Sequence, residues 1–334
     1  MTRRKILYLP PRPLSADILS ERARSILESL GQVIWNETDE NLNAEQLAEL
    51  LPGAEAVVTS WGSPAFSPEL LQAAHSLRIV GHAAGSVKHL MPKEGYDRGI
   101  VVLSAAPVIA DSVAEYTLWA MLSAQRDLYK YEHRMKVERG WRRPEDGWGH
   151  ELYFKRVGII AASMVGRKVM RLLGPWDCDL VVYDPYLSEE GAAQLGARKV
   201  GLEELMSTAD IVSVHAPTTP ETEKMLRAEH FRSMKDGALI VNNARAWVLD
   251  EEALIEELKT GRIRAVLDVF GQEPLPADSP LRDLPNVFLT PHMAGASEES
   301  RGRLVEAIAK DMARYFAGEQ PEMAVTWQRL QIMA

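Results

Sequence analysis

The chain has 334 residues, a formal net charge of −9, 46% hydrophobic and 25% charged residues, a composition that excludes wholesale disorder and suggests two domains of roughly 150 residues each. The acidic balance argues against a nucleic-acid surface and for a small-molecule partner. Cys178 is the single cysteine, which excludes an intrachain disulfide and a cysteine-built zinc cluster, leaves no metal expected, and favours a reducing, cytoplasmic setting.

From the start, Thr2, Arg3, Arg4 and Lys5 lead into an apolar run that Pro10 and Pro11 interrupt, so no signal-peptide core is expected. Short β-like runs over 5–9, 32–35, 54–59, 77–81 and 100–104 alternate with amphipathic helical stretches over 15–30, 43–51 and 67–74, the pattern of an α/β layer structure. The nearly uncharged run 112–125 predicts a helix that is buried or covered by a second subunit. Residues 126–139 are dense in charge, and 140–149, with Trp141, Pro144 and Trp148, read as a surface loop. A second series of strands follows over 157–161, 180–183, 211–215, 238–242, 264–268 and 287–289, in runs apolar enough for a parallel sheet buried on both faces. A long helix over 298–316 closes the chain. The longest apolar stretches, 99–110 and 157–166, fall short of the ~18 residues a membrane helix needs, so no membrane partner is expected.

The second series opens with a strand-to-helix turn where a dinucleotide loop G-x-G-x-x-G would sit at 161, 163 and 166. Ala161 and Ser163 hold the first two positions and only Gly166 is glycine, so the turn alone fits an ordinary strand–helix junction as well. Asp184 ends the next strand 23 positions after Ala161, near the spacing of the carboxylate that accepts ribose hydroxyls, though Asp184-Pro185 also reads as a strand terminator. His215-Ala216-Pro217 and Thr222 follow another strand; His215 by itself is more simply a strand-end histidine. Then N-N-A-R ends a strand at Arg245, L-D-V-F-G-Q-E-P-L-P places Asp268 and Glu273 after the next, and T-P-H-M-A-G-A-S places His292 after the last. Singly these are more often solvated residues. At the ends of parallel strands they converge on one rim, where an arginine fork holds a carboxylate and a histidine exchanges a proton.

Those three segments, in this order, with V-A-E-Y-T-L upstream and H-A-P-T-T-P-E-T between, resemble the D-isomer-specific 2-hydroxyacid dehydrogenase family over nearly the whole chain. The resemblance implies an α/β fold of two Rossmann-like parallel-sheet domains. A discontinuous, flavodoxin-like substrate domain (1–106 and 297–334) is wrapped around a central NAD-binding domain (107–296), with a cleft between them. It implies reversible hydride transfer between NAD(H) and a 2-keto/2-hydroxy acid, with Arg245, Glu273 and His292 catalytic. It further implies NAD contacts from Ala161, Ser163, Met164, Val165, Gly166, Asp184, His215, Ala216, Pro217, Thr222, Asn243, Ala244, Asp268 and His292. Substrate contacts come from Ala84, Gly85 and Ser86, whose backbone amides would grip the carboxylate, and from Arg245 and His292. Asp268 would orient the nicotinamide carboxamide.

Ala161 and Ser163 depart from the family pattern and predict crowding at the pyrophosphate, which the Ser163 hydroxyl would partly offset. Ala246-Trp247, after the arginine, differs from the usual glycine, and Trp247 reads either as lining the site or as packing in the core, with packing the favoured expectation. Lys88 replaces an acidic residue near Gly85. A homodimer is expected from the uncharged helix and the Trp141 loop. The alternative from another class is an NAD-sensing, non-catalytic scaffold or corepressor-like protein of the same fold. Formate dehydrogenase, in which glutamine partners the histidine, is disfavoured by Glu273.

Overall fold

A computed structural model of the chain describes residues 3–330; Met1, Thr2 and residues 331–334, within the outer segments expected for the substrate domain, lie outside the described residues. Two compact units form, one from residues up to Ile109 together with those from Ala296 onward, the other from Ala110–Gly295.

The first unit is built on β1 (Lys5–Tyr8), β2 (Gln32–Trp35), β3 (Ala54–Thr59), β4 (Ile79–His82) and β5 (Val101–Ser104). All pairings are parallel and the order is β2-β1-β3-β4-β5, the arrangement of flavodoxin-like sheets. Ile6, Tyr8, Val58, Ile79 and Leu103 face a core that Leu304, Val305, Ile308 and Met312 of the helix Glu298–Phe316 complete. Leu7, Val57, Val80 and Val102 alternate with them and are buried as deeply. Burial of both faces explains why these strands read as apolar runs without alternation. At Gly81 a Cβ would lie 2.3 Å from Ile308 Cγ2, so the closing helix rests directly on β4.

The second unit carries β6 (Arg156–Ile160), β7 (Asp179–Tyr183), β8 (Arg198–Lys199), β9 (Ile211–Val214), β10 (Leu239–Asn242), β11 (Arg264–Leu267) and β12 (Val287–Leu289). Its parallel sheet runs β12-β11-β10-β9-β6-β7-β8. Chain direction across the sheet reverses between β6 and β9, the switch point at whose carboxyl edge open α/β sheets bind ligands. One face buries Ile160, Val181, Val212, Ile240 and Leu267; the other buries Ile159, Val182, Ile211, Val241 and Val266 under the helices Ala106–Gln125 and Met164–Leu173. Both units are therefore α/β layers on parallel sheets, as the sequence implies.

Local differences from the sequence expectation have local causes. The helix expected over 15–30 is two helices, Arg12–Ile18 and Glu21–Leu30, because Leu19 is extended and the Ser20 side chain accepts from Ala23 N–H to start a new one. The helix expected from 112 begins at Ala106, where the Ser104 hydroxyl accepts the first amide at 3.1 Å. The charged stretch after it contains the helix Leu128–Lys136. The loop expected at 140–149 is exposed, with Trp141 and Trp148 at 73% and 78%. Among the described residues no helix is long and apolar enough to cross a membrane.

Candidate active site

At the carboxyl end of β6 the chain turns sharply into the helix Met164–Leu173. Ala161 adopts φ +73°, a left-handed conformation that costs a non-glycine residue about 1 kcal/mol. The requirement for glycine at 166 is steric, since a Cβ there would sit 2.2 Å from the Ala161 carbonyl oxygen. Ser163 is the N-cap: its Oγ accepts from Gly166 N–H at 3.3 Å, which leaves its own hydrogen to donate. Met164 and Val165 belong to the open first turn, whose N–H groups have no intrahelical acceptor and favour an anion. Asp184, just past β7, accepts from Ala162 N–H at 2.9 Å and from Tyr186 N–H at 2.8 Å, one bond to each oxygen. Each oxygen retains a second acceptor site. The carboxylate thus both ties the turn to β7 and offers room for hydroxyl donors.

His215 and Asn243 follow β9 and β10, which are neighbours in the sheet. Both are buried, and His215 Nδ1 and Asn243 Oδ1 have no partner. Thr117 donates its hydroxyl hydrogen to Val113 O, so it accepts from Asn243 Nδ2 at 2.9 Å, which fixes the amide with its oxygen free. Burial pushes the His215 imidazole down to about 3. Past β9, Thr222 Oγ1 donates to the Pro217 carbonyl and accepts from Thr219 N–H, bracing the loop that begins at Ala216. After β10, the Asn242 side chain accepts from Ala244 N–H and donates to the Arg245 carbonyl, a side-chain-closed turn that presents Arg245. The guanidinium donates to the Ala244 carbonyl at 2.7 Å and forms no ion pair among the described residues, leaving most of its fork for an anion.

Asp268 follows β11 and is 1% exposed. It accepts from Thr290 Oγ1 at 2.6 Å, Met293 N at 2.9 Å and Ala294 N at 2.8 Å. In this structure, therefore, its carboxylate grips the loop after β12, a role the sequence does not announce. That loop carries His292 at φ +51°. Glu273 Oε1 accepts from Phe270 N–H, and its Oε2 lies 2.7 Å from His292 Nδ1. A carboxylate accepts, so Nδ1 carries the hydrogen and Nε2 is the atom left to exchange a proton. Partial burial raises the Glu273 carboxyl, but the hydrogen bonds from His292 and Phe270 and the charges of His292 and Arg245 outweigh it, holding the group below its ordinary value.

A cavity of about 580 Å³ is lined by Arg245, Trp247, Phe270, Glu273 and His292 among others. Trp247 is thus at a cavity wall, 44% exposed, with its indole N–H on the Thr219 carbonyl; it is not the core residue expected, because the turn Ala246–Val248 aims Val248 inward in its place. A family model described as D-isomer specific 2-hydroxyacid dehydrogenase, NAD binding domain, matches residues 118–294. A glyoxylate reductase from Korarchaeum cryptofilum is 32% identical over 331 residues, 97% of this chain and 98% of that protein. The chain belongs to the D-isomer-specific 2-hydroxyacid dehydrogenase family.

A D-3-phosphoglycerate dehydrogenase from Methanocaldococcus jannaschii is 35% identical over 315 residues. They make up 93% of this dehydrogenase-family chain but only 59% of that protein. A phosphoglycerate oxidoreductase from Rhizobium etli superposes with a TM-score of 0.82 at 27% identity, covering 97% of this chain and 98% of that one. In the first unit, the expected loop Ala83-Ala84-Gly85-Ser86 follows β4. Ser60 and Ser104 hydroxyls hold the Ala83 and Gly85 carbonyls at 3.0 and 2.6 Å. The N–H groups of Gly85 and Ser86 have no acceptor among the described residues. Thr290, Tyr116 and Thr117 were not among the sequence-expected site residues, although each lies inside a quoted motif; their polar atoms become informative only once Asp268 and Asn243 are placed.

Proposed function

We propose that this family member is an NAD-dependent oxidoreductase, reversibly moving hydride between NAD(H) and a 2-keto/2-hydroxy acid of the D-isomer. The observation that carries the reading is the His292–Glu273 pair, with Nε2 unengaged, lining one cavity with an unpaired Arg245. The cradle over Gly166, the open helix start after Ser163, the Asp184 acceptor sites and the unpartnered His215 and Asn243 atoms fit a dinucleotide of pyrophosphate, ribose and amide parts. When bound, NAD(H) supplies or accepts the hydride. Reduction of a ketone leaves an alkoxide, and His292 Nε2 donates the proton it needs, taking it back in the reverse direction. Glu273 orients the ring and supports its positive charge. Arg245 holds the substrate carboxylate and polarises the carbonyl with a charge that does not titrate. On this reading the second unit serves the dinucleotide and the first the acid, with the Gly85 and Ser86 amides as anion donors.

The same reading makes the protein a cytoplasmic homodimer, a proposal supported by the single cysteine and by the exposed Trp141, Trp148 and Phe154. The relatives named above are a reductase, a dehydrogenase and an oxidoreductase, and no observation favours a non-catalytic scaffold. The test is NADH oxidation against a panel of 2-keto acids that includes glyoxylate, hydroxypyruvate, phosphorylated and branched members. Turnover of at least one is expected. NADH binding without turnover of any would overturn the enzymatic reading in favour of dinucleotide sensing, and a monomer by light scattering would remove the dimer.

A further inference from the structure

We propose that Tyr116 is a positioning residue for His292, acting through Thr290 and Asp268; the inference rests on the acid/base role given to His292 above. Tyr116 Oη lies 2.6 Å from Thr290 Oγ1, and Thr290 Oγ1 lies 2.6 Å from Asp268 Oδ1. The carboxylate can only accept, so the one Thr290 hydrogen goes to Asp268 and the phenol donates to Thr290. The chain of bonds therefore has a single direction, from the helix Ala106–Gln125 through the end of β12 to a buried carboxylate.

That carboxylate holds the loop on both sides of His292, by the Thr290 side chain before it and by the Met293 and Ala294 amides after it. Between these points His292 sits at φ +51°, a conformation that persists for a non-glycine residue only where its neighbours over-determine it. Tyr116 is the anchor from outside the loop. Its ring lies 5.1 Å from Trp119, Trp119 lies 5.6 Å from Phe288 of β12, and Phe288 stacks on Tyr129 at 4.8 Å. The aromatic cluster fixes the helix against the strand that delivers Thr290, so the phenol meets a target whose position is already set. Burial, opposed by the Thr290 bond and aided by the Asp268 charge, pushes the phenol up to about 12, so it stays a donor under assay conditions. Without the phenol oxygen, Thr290 loses the donor that holds its rotamer, and its grip on Asp268 loosens one residue-pair away from the imidazole.

The deciding measurement is the ring spectrum of His292 by nitrogen-15 NMR of the full-length protein, its resonances assigned by their loss in His292→Gln. In Tyr116→Phe the Nδ1 and Nε2 signals of His292 are expected to shift or broaden while those of the buried His82 and His215 stay in place. Alongside, kcat for a 2-keto acid should fall about three- to ten-fold in Tyr116→Phe and further in Thr290→Val, with KM and NADH affinity within two-fold. Thr290→Ser, which keeps the hydroxyl, should restore rate and spectrum. An unchanged His292 ring spectrum in Tyr116→Phe overturns the proposal whatever the rates do. A wild-type protein that reduces no 2-keto acid overturns the functional reading instead, and the ring spectrum still decides whether Tyr116 positions His292.

Discussion

At the scale of single residues, His292 and Ala161 share an unusual feature, a positive φ without glycine, for opposite reasons. On the proposed function His292 needs its side chain for chemistry, and His292→Gln should lower kcat by about two to four orders of magnitude, the range for losing a general acid/base, with NADH affinity little changed. Steady-state rates beside a fluorescence titration of NADH check this; near-normal turnover would remove the proposed proton donor. Ala161 needs no side chain, and Ala161→Gly should raise the urea midpoint by the equivalent of about 1 kcal/mol through relief of the left-handed strain. A lower midpoint would show that the greater freedom of glycine in the unfolded chain outweighs that relief. That Arg245, Glu273 and His292 line one cavity was legible because strand ends and loop motifs place them on one rim by connectivity alone. Trp247 was not, since its direction depends on a three-residue turn whose shape no periodicity records. Asp268 was legible as a strand-end carboxylate but not as the grip on the loop after β12, which needs the backbone amides of residues 293 and 294 in three dimensions.

Among the elements, the turn between β6 and its helix is bound to the end of β7 by Asp184, and on the proposed function the cofactor preference rests on that carboxylate. NADH should be preferred to NADPH, because a 2′-phosphate would meet the Asp184 carboxylate. Of the three arginines near in sequence that could reach such a phosphate, Arg167, Arg171 and Arg198, two are partly committed: Arg167 Nε donates to the Ala162 carbonyl and Arg198 pairs with Glu204 at 3.0 Å. Asp184→Ser should raise KM for both cofactors, since the Ala162 and Tyr186 amides lose their acceptor. The informative quantity is the kcat/KM ratio of NADH to NADPH, expected to fall about ten-fold, equivalent to ~1.4 kcal/mol. An unchanged ratio would leave Asp184 as a terminator of β7 only. Strands were the most legible elements because burial on both faces writes them as continuous apolar runs. The two-residue β8 and the helix Lys93–Asp97 are too short to leave such a record. The break at Ser20 was hidden because a serine inside an amphipathic pattern looks the same whether it caps a helix or faces solvent.

For the molecule as a whole, each unit buries a histidine at the end of its sheet. Burial lowers His82, hydrogen-bonded to Thr59 at 2.9 Å, to about 4, and His215 to about 3. Both therefore stay neutral when folded at pH values where the unfolded chain, with a histidine pKa near 6.5, takes up protons. The unfolded state then binds more protons, so stability is complete above about pH 6.5 and declines as pH falls toward the folded values. By pH 5 the loss is about 2 kcal/mol for each. Urea unfolding at pH 7.5 and pH 5.0 should show it, and His215→Gln should flatten the pH slope; equal midpoints at the two pH values would count against burial of neutral imidazoles. The closing helix has a consequence for biosynthesis. Ile308 and Met312 come from the last part of the chain yet fill the core against Ile6, Tyr8 and Gly81 from the first. Once β5 has been made, that face of the sheet is covered only in part, by Ile18, Ala23 and Leu27 of the two early helices, and the rest waits while all of Ala110–Gly295 is synthesised and can fold as a contiguous unit. The half-covered sheet is thus a stage at which this unit is exposed to aggregation and in need of a chaperone.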